Sequence, residues 1–273
     1  MRKYFITVGI AVFVLVVIAS FRGTYAQDID YNRAYQDYTF NLDEYRKAEA
    51  LFQLKRSEYL RHKTLSSKNE SIDATREFLK ARDQVVISYL TAIRRKLEEI
   101  PNADGAGKEP YYSKLDSEVV WYQEHKDRLD TAASLDDLVD DSEEASKQYS
   151  LTEIVSYEVL TAISIGKINS SREPLRELIS QVKTKISEIR QAGDKDVSIV
   201  EKWVLDAENE EIRSGEKIDT AMTLLAKMKE SQKGAAKRTT FNSSQEKMSE
   251  AHQHTKEANR FLGEIITEIK TAD

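Results

Sequence analysis

From Tyr31 to Tyr59 the sequence reads YNRAYQDYTFNLDEYRKAEALFQLKRSEY, with an aromatic ring at every seventh residue: Tyr31, Tyr38, Tyr45, Phe52 and Tyr59. A seven-residue repeat drifts only about 20° per heptad around a straight α-helix, so the five rings form one stripe on one helix. Tyr35 and Leu42 widen the stripe early, and Glu49 and Arg56 narrow it later. Apolar residues recur three and four apart almost everywhere else, and sustained period-two alternation is absent. With 9 glycines, 3 prolines and 32% charged residues, the chain has few breaks to offer between long helices.

The pattern predicts an all-α protein, an elongated antiparallel helical bundle or coiled coil of about seven helices. The first helix spans about residues 28–62, followed by a loop at LSSKNES (65–71). The second spans 71–100, where Pro101 and the turn-rich PNADGAGKEP stop it. The third starts with Pro110 in its first turn, where a missing N–H costs nothing. Ser134 is a fitting N-cap for SLDDLVDDSEE, whose acids suit the positive end of a helix dipole. LTEIVSYEVLTAISIGKI (151–168) is apolar on more than one face, which places it at the centre of the bundle. NSSREP breaks that helix, and Pro174 opens the next, which ends near Gln191. A helix over about 196–231 has apolar ends around the polar DAENEEIRSGEK. KGAAKRTTFNSS reads as a linker, and Ser243 with Glu246 has capping-box spacing for a last helix to about Lys270. Residues 101–109 and 169–173 are the expected internal boundaries.

The first residues, MRKYFITVGIAVFVLVVIASFRGTYAQD, have the layout of a secretory signal peptide over 1–26: Arg2 and Lys3, an apolar run, then a short polar stretch ending at Ala26. The competing reading is a signal anchor over residues 4–21, just long enough to span a bilayer. Both place the rest outside the cytoplasm, secreted, periplasmic or membrane-anchored. Loss of residues 1–26 removes Arg2, Lys3 and Arg22 and takes the formal charge from −6 to −9 over 247 residues. That sign argues against nucleic-acid partners, which require clustered positive charge, and leaves the N-terminal segment, if uncleaved, as the one route to a membrane. The absence of cysteine excludes disulfides, thiolate catalysis and Cys-based metal or haem sites.

No residue pattern points to a catalytic, cofactor-binding or metal-binding set, so no enzyme activity and no cofactor are expected. His252 and His254 lie about 200° apart on a helix, and Glu250–His254 and His254–Glu257 read as ordinary helical pairing. Asp28, Asp30 and Asn32 lack the glycine of a calcium loop, and the Gly-Lys pair of ADGAGKEP lacks the rest of a phosphate loop. The acids Asp136, Asp137, Asp140, Asp141, Glu143 and Glu144 read as a solvated face, or as a match for the basic run Lys227, Lys229, Lys233, Lys237 and Arg238. The five rings remain the candidate site. They face either a bundle seam, with hydroxyls reaching the edge, or a partner.

YNRAYQDYTFNLDEY, EYLRHKTLSS, ATREFLKARDQVVISYL and AIRRKLEE together resemble a group of uncharacterised exported, tyrosine-rich helical proteins of candidate-phylum bacteria. The resemblance covers about residues 28–99. It implies an export segment followed by helices and carries over no site residues. The reading that follows is a non-catalytic exported protein of the cell envelope or surface, acting by helix-mediated assembly or binding of a protein partner. The alternative is an extracytoplasmic sensory or small-ligand-binding helical bundle.

Overall fold

Lys63 decides where the first helix ends. The computed structural model describes residues 28–101, 107–192 and 197–271, and begins with helix α1 (Asp28–His62). Lys63 has φ of +50°, the left-handed conformation that closes helices, and its N–H donates to the Tyr59 carbonyl at 2.9 Å. Thr64 then returns to extended backbone and caps α2 (Leu65–Glu99). Its hydroxyl accepts from the Ser67 N–H at 3.2 Å, and the Ser67 hydroxyl accepts from the Thr64 N–H at 3.1 Å. The expected loop at 65–71 is therefore helix. The polar run LSSKNES contains neither proline nor glycine, and the reciprocal cap sits before it.

Residue pairs along the seam show α1 and α2 running antiparallel: Tyr31 meets Lys96, Tyr38 meets Tyr89, and Lys55 meets Glu70. Helix α3 (Glu109–Arg128) returns antiparallel to α2, with Pro110 in its first turn as expected. Arg94 donates to Asp116 at 2.9 Å near one end, and Lys126 to Gln84 at 2.8 Å near the other. A single 3₁₀ turn, Leu129–Thr131, leads to α4 (Leu135–Ala192). Ser134 caps α4 as its sequence context predicts: its hydroxyl accepts from the Asp137 N–H at 3.1 Å.

Helix α4 has 58 residues, about 87 Å at 1.5 Å per residue. Its first part packs on α2 and α3 around Leu90, Ile93, Leu97, Leu115, Tyr122, Val159 and Ile163. Residues 152–168 are buried on several faces, the central position expected for them, although Leu151 itself is exposed. The expected break at NSSREP is absent and α4 continues through Pro174, so six α-helices replace the expected seven among the described residues. Proline removes one backbone hydrogen bond. The turns on either side are fastened into the core by Ile168 and Arg172 before it and by Leu175 and Ile179 after it.

Helices α5 (Ser198–Leu225) and α6 (Gly234–Thr271) form an antiparallel hairpin against the second part of α4. The α5 helix ends earlier than expected, at Leu225, and the stretch read as a linker begins α6 instead. The hydroxyls of Thr239 and Thr240 bond back to the carbonyls of Ala235 and Ala236, which satisfies inside the helix the groups that made this run look irregular. All three helices bury residues in alternating steps of three and four. On α4 these include Ile165, Ile168, Arg172, Leu175, Ile179, Val182 and Ile186; on α5, Val200, Val204, Ala207, Glu211, Ser214, Ile218, Ala221 and Leu225. On α6 they include Ser244, Met248, Ala251, Thr255, Ala258, Leu262 and Ile265. This is the heptad spacing of coiled-coil packing.

One layer of that core is polar. Arg172 donates to Glu211 Oε1 at 2.7 Å, Arg176 reaches the same oxygen from the edge at 2.5 Å, and Ser214 bonds Thr255 at 3.0 Å. Gly215 makes room for this layer, because a Cβ there would lie 2.7 Å from Arg172 Nη2. Removing one partner of a buried pair costs about 3 kcal/mol, while replacing both with apolar side chains is close to neutral. Arg172→Met is therefore expected to destabilise the protein by about 3 kcal/mol, and Arg172→Met with Glu211→Leu to recover most of it, as read from denaturant midpoints. At the first turn, Lys63→Gly relieves the left-handed conformation and is expected to stabilise by about 0.5–1 kcal/mol, a higher denaturant midpoint with an unchanged slope.

Candidate functional site

The aromatic ladder of α1 faces α2. Tyr45 is buried, with its ring 5.4 Å from Phe78 between centroids, and Phe52 stacks on the same ring at 4.9 Å with planes 6° apart. Phe78 thus sits against two successive rings of the ladder, as one heptad of α1 requires. Tyr38 lies 5.6 Å from Tyr89 and 6.1 Å from Tyr35. Tyr31 is half-buried, 6.0 Å from Tyr35, with Lys96 Nζ 4.5 Å from its ring centre. Tyr59 is half-buried near the closed end of the hairpin. Tyr31, Tyr38, Tyr45 and Phe52 therefore meet side chains of α2 along one seam.

Burial has a chemical consequence at these rings. It raises the phenols of Tyr31 and Tyr38, and it pushes Tyr45 up to about 12, with Glu49 adding to the effect. Tyr149 of α4, half-buried against the first core, is likewise pushed to about 12 by desolvation and then by Glu153. The opposite face of α1 is exposed and carries Phe40, Leu51 and Leu54, with Leu60 and Leu65 at the hairpin tip. The ring of Phe40 is 65% exposed.

Polar groups the sequence did not single out gather around α4. His125, 1% exposed, donates from Nδ1 to Asp83 Oδ2 at 2.6 Å, and its Nε2 lies 3.1 Å from the Asp141 carbonyl oxygen. Trp121 stacks on the imidazole at 4.9 Å, so α2, α3 and α4 are joined at one ring. Two turns back along α3, Glu118 accepts from Thr152 at 2.5 Å and from Gln148 at 2.9 Å, and the hydroxyls of Tyr122 and Thr152 lie 3.2 Å apart. Lys237 of α6, also 1% exposed, donates to the Ser150 carbonyl at 2.7 Å and pairs with Glu153 at 3.3 Å. Each cluster satisfies its own charges internally, the arrangement that buried polar groups require.

One sequence signal marks these residues: Arg172, Glu211 and Ser214 fall on the same three–four spacing as the apolar residues before and after them. A charged side chain at a core position implies a partner on the facing helix. The acidic run does not gather into a site. Asp137 accepts from the Ala133 and Ser134 N–H groups, and its carboxyl is held below the usual carboxylate range by the Ser134 hydroxyl and then by those two backbone donors. Glu144 pairs with Arg128 at 2.8 Å, beside a shallow open cleft that Asp137, Asp140 and Asp141 line. Lys237, from the basic run, goes to Glu153 instead. His254 pairs with Glu210 of α5 at 2.6 Å, while Glu250 binds Lys217 at 2.5 Å. Among the described residues no group of three His, Asp or Glu side chains is placed to hold a metal ion, and no helix is long and apolar enough to cross a membrane. The expected signal peptide or anchor lies outside the described residues. The chain matches no family model, no curated protein and no solved structure.

A phenol raised by folding binds more protons in the native state than in the unfolded one above the ordinary tyrosine value. Its stabilisation is complete below about pH 10 and is lost as pH rises from there toward 12. Tyr45 is expected to contribute about 1 kcal/mol of destabilisation between pH 10 and pH 11. Tyr45→Phe flattens that part of the profile, as measured by denaturant unfolding at both pH values against the unsubstituted protein.

Proposed function

We propose that this chain is a non-catalytic, exported helical protein of the cell envelope or surface that works by helix-mediated assembly or binding of a protein partner. The observation that carries this reading is the one-sided packing of α1. It turns its aromatic seam onto α2 and presents Phe40, Leu51 and Leu54 to solvent on the other side, with Leu60 and Leu65 beyond. Apolar residues grouped along an exposed helix face favour contact with another chain. The buried clusters support the same direction, since their charged groups are occupied in joining helices rather than converging on an open pocket. The export half of the reading rests on the first 26 residues and on the resemblance to exported tyrosine-rich helical proteins.

Two measurements test it. The chain recovered from fractionated cells is expected outside the cytoplasm, either with the intact mass of a protein beginning at Gln27 or full length and membrane-bound. A full-length chain in the cytoplasmic fraction removes the export reading. In sedimentation velocity the protein is expected to self-associate, and Phe40→Ser with Leu54→Ser to weaken that association at least about tenfold. A chain that stays monomeric, with and without the substitutions, and captures no envelope protein removes the assembly reading.

A further inference from the structure

The outer face of α1 carries a second seven-residue pattern behind the aromatic one. From Arg33 onward, residues in alternating steps of four and three fall on one stripe, turned away from the Tyr45 and Phe52 rings. Phe40, Leu51 and Leu54 are its apolar members, 65%, 46% and 53% exposed. The remaining positions are charged: Arg33 and Asp37 before Phe40, Glu44 and Lys47 after it, Glu58 and Arg61 beyond Leu54. Glu44 and Glu58 are half-buried and the other four are exposed. Apolar contact is non-directional, so the order of the charges decides what this stripe fits.

That order is complementary to itself when reversed. In an antiparallel helix pair the two lines of a heptad stripe face each other across the seam. One alignment, centred between Tyr45 and Arg46, sets Phe40 against Leu51 of the second copy, Glu44 against Lys47, and Arg33 against Glu58. Two-fold symmetry repeats each contact. Glu44 and Lys47 pair within their own helix at 2.7 Å, so four charges close one network around the axis. Asp37 beside Leu54 is left unmatched. A slide of one heptad in either direction sets Phe40 against Glu44 or Glu58 instead. A parallel pair sets every residue against its own copy. Arg33, Asp37, Glu44, Lys47 and Glu58 then each meet a like charge, which opposes association.

We propose that the outer face of α1 binds the same face of a second copy of this chain, antiparallel, about a two-fold axis near residues 45 and 46. This rests on the assembly reading above and narrows it to one partner and one register. The inner face of α1 is left as it stands, because the contacts of Tyr38, Tyr45 and Phe52 with α2 lie on the other side of the helix.

The chain has no cysteine, so Asn32→Cys, at an exposed position near the start of α1, gives one labelling site per copy. In the proposed alignment Asn32 lies level with Tyr59 of the second copy. The two labelled positions are then 27 residues apart along the pair, about 40 Å at 1.5 Å per residue. Pulsed electron paramagnetic resonance of the nitroxide-labelled full chain is expected to read that distance, whereas a parallel pair brings the labels within about 20 Å. Sedimentation velocity tests the charges. Glu44→Lys sets lysine against lysine on both sides of the axis and is expected to weaken dimerisation at least about tenfold. Glu44→Lys with Lys47→Glu restores opposite charges and most of the affinity, and that recovery separates lost pairing from lost folding. Dimers with labels within about 20 Å, or a double variant no tighter than Glu44→Lys alone, overturn the proposal and leave assembly in place. A chain that remains monomeric also overturns it. Capture of an envelope protein by that monomer leaves the broader reading standing, and capture of nothing removes both.

Discussion

Everything in this molecule depends on α4 remaining one helix for 58 residues. It is longer than any partner, so no single set of neighbours covers it. Helices α2 and α3 take its first part, α5 and α6 its second, and the middle is shared with α6, which runs parallel to it from Glu153–Lys237 through Tyr157–Phe241 to Thr161–Gln245. The two cores are therefore continuous through one backbone rather than joined by a linker. Pro174 lies inside the shared helix, and the residues around it belong to the second core, which supplies the packing that an isolated helix of this sequence would lack.

Along such a helix, apolar packing alone leaves the register open, because neighbouring heptads offer similar knobs and holes. The polar clusters remove that freedom. Arg172 has one site where Glu211 and the space beside Gly215 coincide, and His125 has one place between Asp83 and the Asp141 carbonyl. A slip by one heptad would leave each of these buried polar side chains without its partner. Specificity from buried polar groups at heptad positions is the best-attested role of such residues, and it comes at some expense in stability.

Much of this was legible in the sequence. The heptad rings predicted α1 and one aromatic stripe along it, with a bundle seam and a partner both open as what it faces; Ser134 predicted the cap of α4, and the apolar run 151–168 its own central place. The differences share one cause: local chemistry suggests a boundary where tertiary packing overrides it. Pro174 is a good first-turn residue, yet the core on both sides keeps the helix intact. Ser66, Ser67 and Asn69 look like a loop, yet Thr64 caps ahead of them. Thr239 and Thr240 look like a linker, yet their hydroxyls turn inward to carbonyls of the preceding turn.

The antiparallel pairing of α1 with α2 also sets how the protein bears load. The start of α1 lies against the end of α2, at Tyr31 and Lys96, while the connection between the two helices is at Lys63, at the far end. A pull on the amino-terminal side meets the rings one at a time, from Tyr31 to Tyr38 to Tyr45, in zipper geometry.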